Sequence, residues 1–159
     1  MLELYGLANS RAFRCLWMLE EVGVPYKHIP LNFLGDDLKD PTFLAINPNG
    51  RIPCLVDDDL VLFESLAINL HLARRYSDSL WPEDEKSEAR LLQWTLWAAN
   101  ELEPLLSTIA FQLNRVSEEE RDHAAIESAK EALLRPLGVL DSALESNATL
   151  VGPEFCVAD

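Results

Sequence analysis

With 159 residues, a hydrophobic share of 48% and a formal net charge of −14, the chain can bury one core of ordinary size or two small ones. The charge argues against a phosphate-binding face, which needs clustered Lys and Arg, so nucleic acid and anionic membrane are poor partners. No apolar run approaches the roughly 18 residues of a membrane-spanning helix, and the start MLELYGLANSRAF lacks the basic-then-apolar layout of a secretory signal, so a soluble, cytoplasmic protein is expected.

In chain order, Leu2–Tyr5 predicts a short strand. Ser10–Val22 predicts a helix with Phe13, Leu16 and Trp17 and, less regularly, Leu19 and Val22 on its apolar face, ended by Gly23 with Pro25 beyond. Ser10 is then a cap or first-turn residue. Tyr26–Leu31 reads as a second strand, Pro41–Ile46 as a short helix, Cys54–Asp57 and Val61–Phe63 as a hairpin turning at Asp58-Asp59, and Ser65–Tyr76 as a third helix. The order is β-α-β-α-β-β-α.

From about residue 85 onward the pattern is helical throughout, and that shift marks a boundary: one domain over residues 1–76, a linker over 77–84 and an all-helical domain over 85–159. Pro82–Glu85 is an acidic, proline-marked helix start, and Glu88–Arg115 reads as one long helix kinked at Pro104. Ser117-Glu118-Glu119-Glu120 has the form of a capping box, with the charged run to Asp122 read as a solvated helix start. The helix that follows carries Ile126, Ala129, Leu133, Leu137, Leu140 and Leu144 on one face, a stripe expected to be core.

Chemistry concentrates in Asn47-Pro48-Asn49-Gly50-Arg51-Ile52-Pro53-Cys54-Leu55 and in Phe63-Glu64-Ser65. A proline that opens a strand removes one ladder donor, and a cis Ile52–Pro53 bond would turn the Ile52 N–H and C=O outward, where a short peptide could pair as an added strand. Glu64-Ser65 opens the third helix, where unpaired N–H groups and the helix dipole favour a carboxylate. The same residues also read as an edge-strand proline and an ordinary cap. Cys15, Cys54 and Cys156 are odd in number and widely spaced, which speaks for buried, reduced thiols. His28, His71 and His123 show no metal-ligand spacing, and the first strand–helix junction carries Ser10-Arg11-Ala12-Phe13 where a dithiol enzyme would have Cys-x-x-Cys.

LELYGLANSRAFRCLWMLEEVGVPY, NPNGRIPCL and LFESLAINLHLARRY resemble the first strand and helix, the cis-proline strand and the third helix of the cytosolic glutathione transferases. The resemblance runs over essentially the whole chain. It implies an α/β thioredoxin-like domain followed by an all-α domain, and a homodimer without metal or redox cofactor. It implies glutathione as co-substrate and a hydrophobic, electrophilic small molecule as its partner, the chemistry of detoxification. By motif, Ile52 is similar to the residue whose backbone pairs with the cysteinyl unit, and Pro53 to the cis-proline. Glu64 and Ser65 are similar to the pair that holds the γ-glutamyl end, and Arg51 to the basic residue near the glycyl carboxylate. Phe155-Cys156-Val157-Ala158-Asp159 resembles the start of a further helix, with Cys156 where the family has a capping Ser or Thr, so a fragment of a longer protein is expected.

Ser10 falls where the serine-type classes, theta in particular, keep their active serine, and Arg14 lies on a basic position four residues later. Lowering a thiol pKa near 8.5 by about 2 units takes roughly 2.7 kcal/mol, within reach of one charge-assisted hydrogen bond and a helix end. Tyr5, by analogy with tyrosine classes, and Asn9 are the alternatives. The second substrate is expected against Leu7, Ala8 and Phe111, while Trp94 and Trp97 read equally well as core. Besides conjugation, the resemblance leaves open a non-catalytic dimerisation or partner-binding module, and peroxide reduction or isomerisation at the same site.

Overall fold

Leu2 and Leu4 are buried and alternate with the half-buried Glu3 and Tyr5, the period of a strand with a core on each side. This strand, β1 (Leu2–Tyr5), opens a computed structural model that describes residues 1–159. The chain divides into two units, Met1–Trp81 and Pro82–Asp159. No helix is long and apolar enough to cross a membrane.

In the first unit, α1 (Ala12–Val22), β2 (Tyr26–Ile29), α2 (Pro41–Ile46), β3 (Cys54–Asp57), β4 (Leu60–Phe63) and α3 (Ser65–Tyr76) follow in that order. The sheet runs β2-β1-β3-β4, with β2 parallel to β1 and the other pairs antiparallel. α1 and α3 pack together, burying Ala12, Cys15, Leu19, Ile68, Leu72 and Ala73. Tyr5 instead meets the buried Phe43 of α2, ring centroids 5.9 Å apart. β2 stops at Ile29 rather than Leu31, because Pro30 has no N–H to continue a ladder. A 3-10 turn at Asp37–Lys39 was not foreseen. At α2, Pro41 occupies the first turn and the Asp40 side chain accepts from the Thr42 N–H at 2.7 Å.

The apolar face expected on α1 is corrected. Phe13 and Trp17 are 55% and 56% exposed; Leu19 is buried as expected, and the core otherwise takes Ala12, Cys15 and Met18. Size misled the periodicity: close packing of two helices favours the small Ala12 and Cys15 over aromatic rings. The loop entering α1 is equally tight. Gly6 has φ +145, and a Cβ there would lie 2.6 Å from the Ala12 Cβ, so only glycine fits.

In the second unit the long helix expected to kink at Pro104 is helical throughout residues 85–115, and its distortion falls just ahead of the proline. It forms α4 (Glu85–Trp97), a π-helical turn at Ala98–Leu102, and α5 (Glu103–Arg115). Pro104 lacks an N–H and its ring crowds the carbonyl four residues back, and a widened turn just ahead of it relieves that clash. Asp84 caps α4 by accepting from the N–H groups of Lys86 and Ser87. α6 spans His123–Leu144 and packs against α5. Its cap is Asp122, which accepts from the Ala125 N–H at 2.9 Å. The expected Ser117 box is instead a 3-10 turn in which the Ser117 hydroxyl donates to the Glu120 carboxylate at 3.1 Å. A full negative charge immediately ahead of the helix outcompetes a hydroxyl for its free N–H groups.

The stripe on α6 holds for half its length. Ile126, Ala129 and Leu133 are buried, but burial then passes to Pro136, leaving Leu137 and Leu144 at 46% and 39% exposed. Trp94 and Trp97 stand edge to face, 5.1 Å apart. Past α6, the Asp159 carboxylate accepts from the N–H groups of Leu150 at 2.7 Å and Cys156 at 2.9 Å, so the acid three residues after Cys156 does reach back to it.

Candidate functional site

The first unit gathers its chemistry at one end, where the β1–α1 loop, the segment before β3 and the β4–α3 junction meet. Asn47 is fully buried. Its Nδ2 donates to the Arg51 carbonyl at 2.8 Å, and its Oδ1 accepts from both nitrogens of Asn49, at 3.1 Å from N–H and 3.0 Å from Nδ2. These bonds close the Asn47–Arg51 turn over itself and leave little freedom in how it delivers Ile52 and Pro53. The Ile52–Pro53 bond is cis. β3 joins the sheet only from Cys54, so the Ile52 backbone lies outside the ladder.

The junction between β4 and α3 is a single residue, Glu64, with φ 72 and ψ 113. A non-glycine residue at positive φ costs about 1–3 kcal/mol and is held there by its surroundings, a pattern concentrated at ligand clamps. Ser65 follows, 5% exposed, with Arg14 Nη1 donating to its Oγ at 3.4 Å. Arg11, Asn47, Asn49, Arg51, Ile52, Pro53, Phe63, Glu64 and Ser65 line one cleft of about 140 Å³. Drug-sized ligands occupy roughly 300 Å³ or more, so this cleft suits the polar end of a ligand. It offers the free N–H groups of a helix start and two guanidinium groups to a carboxylate, and the Glu64 carboxylate to an ammonium.

Four of the residues expected at a peptide site, Ile52, Pro53, Glu64 and Ser65, thus meet in one cleft with Arg51. Arg11, Asn47 and Asn49 were missed as site residues. Asn-Pro-Asn-Gly is a turn code that could have flagged the asparagines, whereas no sequence signal distinguished Arg11 from a surface arginine.

Ser10 lies one residue before Arg11 and two before the first residue of α1. Its Oγ donates to the Leu7 carbonyl at 2.6 Å and accepts from the Ala12 N–H at 3.2 Å. Tyr5 differs. Its hydroxyl donates to the Glu3 carboxylate at 2.8 Å, and burial first, then that carboxylate, push the phenol up to about 12. Asn9 is exposed in the same loop. Leu7 is half-buried and Ala8 exposed; Phe111, on α5 of the second unit, is 58% exposed. The cysteines are buried and unpaired, and burial pushes the thiols of Cys15 and Cys54 up to about 12 and about 11, which makes them poor nucleophiles.

A family model described as "Glutathione S-transferase, N-terminal domain" matches residues 1–74. Glutathione S-transferase 3 of Zea mays is 37% identical over 99% of this chain and 73% of its own length. Glutathione S-transferase GstB of Escherichia coli K12 is 36% identical over all of this chain and 78% of its own length. Among solved structures, the theta class glutathione S-transferase of Xanthomonas axonopodis pv. citri, with glutathione bound, superimposes with a TM-score of 0.92 at 34% identity. That match covers 99% of this chain and 77% of the other. A glutathione S-transferase I bound with lactoylglutathione gives 0.90 at 32% identity, over 99% and 77%. The chain belongs to the glutathione S-transferase family.

Proposed function

We propose that the chain binds glutathione along the segment before β3 and activates its thiol with Ser10. The enzyme is a glutathione transferase that joins this thiol to electrophilic small molecules. The single observation carrying the site assignment is the cleft shared by Arg51, Ile52, Pro53, Glu64 and Ser65, whose acceptor for an ammonium and donors for a carboxylate match the two charges of a γ-glutamyl end. In this reading the Ile52 backbone pairs with the cysteinyl unit and Arg51 meets the glycyl carboxylate. The non-catalytic module is not favoured, because the relatives matched over this chain are named as transferases.

Ser10 acts as a donor to sulfur. The Ala12 N–H bonded to Oγ draws electron density from the hydroxyl and strengthens it as a donor. Rotation about the Cβ–Oγ bond, away from the Leu7 carbonyl, aims its proton at a thiolate. The thiol proton leaves to solvent, sulfur attacks the electrophilic carbon, and the leaving group departs with its electron pair. What supports Ser10 over Tyr5 is the Tyr5 hydroxyl's commitment to Glu3 and its raised pKa. Both work against a phenol that must stabilise an anion.

Leu7 and Ala8 of the first unit are proposed to meet the hydrophobic electrophile, and the active form is proposed to be a cytoplasmic homodimer. Retention on immobilised glutathione, turnover of an activated aryl chloride, and the ultraviolet difference spectrum of the bound thiolate together test the reading. A protein that binds glutathione yet shows no thiolate band near neutral pH would overturn the role given to Ser10.

A further inference from the structure

Arg14 does not line the cleft; it lies in the first turn of α1, bonded to a residue that does. Its guanidinium donates to the Ser65 hydroxyl at 3.4 Å. Two further bonds tie the same helices: the Asn69 Nδ2 donates to the Arg14 carbonyl at 3.3 Å, and the Cys15 thiol to the Ser65 carbonyl at 3.7 Å. Arg14 and Ser65 thus join the N-terminal ends of α1 and α3, one on the helix that follows Ser10 and the other on the cleft wall. The Asn69 Oδ1 beside them is buried and has no hydrogen-bond partner within the protein.

A guanidinium has donors only. In its bond to Arg14, Ser65 Oγ must therefore be the acceptor, and the hydroxyl proton is left for another acceptor. With Ser65 5% exposed, little water competes for that proton. The acceptor the cleft is shaped for is a carboxylate, and the Arg14 charge lies directly behind the hydroxyl that would hold it.

We propose, resting on the glutathione reading of this cleft, that Arg14 is a positioning residue for the γ-glutamyl carboxylate: it orients and polarises the Ser65 hydroxyl without touching the ligand. Its effect passes through Ser65 and falls on binding, not on the chemical step.

The test compares glutathione with 4-aminobutyryl-cysteinyl-glycine, the same peptide without the γ-glutamyl α-carboxylate, on the full chain. Arg14→Met should raise the KM for glutathione about tenfold, equivalent to about 1.4 kcal/mol, with kcat within about threefold of the parent and the analogue bound as by the parent. Arg14→Lys should recover part of the loss. In the Ser65→Ala background, Arg14→Met should add less than about twofold, since residues acting as a unit are non-additive. The ratio of the two ligands' affinities within one variant does not depend on how much protein is folded. Equal weakening of both ligands, or full additivity with Ser65→Ala, overturns the role of Arg14 while leaving the site assignment standing. A Ser65→Ala single variant that binds glutathione like the parent overturns this proposal, and the same result for Glu64→Gln overturns the site assignment as well.

Discussion

The two units solve the problem of a defined structure in different ways. Of the ten largest fully buried side chains, only Leu91 and Pro136 belong to the second unit, and α5 has no buried residue at all. The first unit is held by a dense core and by loops in which side chains bond backbone: Asn47 to Arg51, Ser10 to Leu7 and Ala12, Asp40 to Thr42. The second is a set of helices with Leu106, Phe111, Leu134 and Leu137 all exposed. Where each loop residue has its own bond, substitution acts locally and chemically; where helices rely on area, it acts through burial.

That contrast can be broken or sharpened by substitution. The largest effect is expected at Ser10→Ala, which should cut kcat by about 10²-fold or more and raise the pKa of bound glutathione, as loss of one charge-stabilising donor does. Tyr5→Phe should stay within a few-fold, and the reverse outcome in single-turnover kinetics would transfer the role to Tyr5. Next, Leu133→Ala in the buried half of α6 should lose about 2 kcal/mol or more in urea melts, while Leu137→Ala, one turn on, should lose less than about 0.5 kcal/mol. Equal losses would mean that the exposed half of the stripe is covered in solution.

Smaller effects belong to binding and to acid. Glu64→Gln and Ser65→Ala should each raise the KM for glutathione roughly tenfold with kcat nearly unchanged, because their proposed partners are ground-state charges remote from sulfur. Calorimetry that finds parent-like affinity in both would move the γ-glutamyl site elsewhere. Smallest is the acid response of Asp57, which is 6% exposed and takes hydrogen bonds from His71 Nε2 at 2.8 Å and the Tyr76 hydroxyl at 2.8 Å. Burial alone would raise its pKa, but those bonds and the nearby Arg75 charge hold the carboxyl below its ordinary range. A depressed carboxylate contributes stability that is fully present above its unfolded pKa, about 3.9, and is lost as pH falls through the lower folded value. Thermal melts taken down through about pH 4 should therefore keep a constant gap between the parent and Asp57→Asn above that pH, and the gap should narrow only below it.

Most of the first unit was legible. Its strands are short runs bounded by Gly, Pro and Asp, and the residues proposed to hold glutathione fall in motifs whose residue types are dictated by backbone need: a proline at Pro53, a helix-opening Glu64-Ser65 pair, a turn at Asn47–Gly50. What failed there was the α1 face, since Phe13 and Trp17 carry the helical period while the packed surface needs the smaller Ala12 and Cys15. In the second unit the helices and a disturbance near Pro104 were legible, but its form as a π-helical turn at Ala98–Leu102 was not. The π-helical turn answers a clash that depends on how Pro104 meets the preceding carbonyl, and the shift of burial from Leu137 to Pro136 depends on the path of the helix against α5.

The sequence by itself determined the order of elements, the turn that presents Ile52 and Pro53, and the identity of the groups that would grip a zwitterionic end, because these rest on local backbone chemistry. Tertiary structure alone decided that Arg14 stands behind Ser65, that Tyr5 is bound to Glu3, and which side of each helix is buried. Those outcomes depend on contacts between residues far apart in the chain, such as Arg14 with Ser65, and a helical period says which residues share a face but not which face finds a partner.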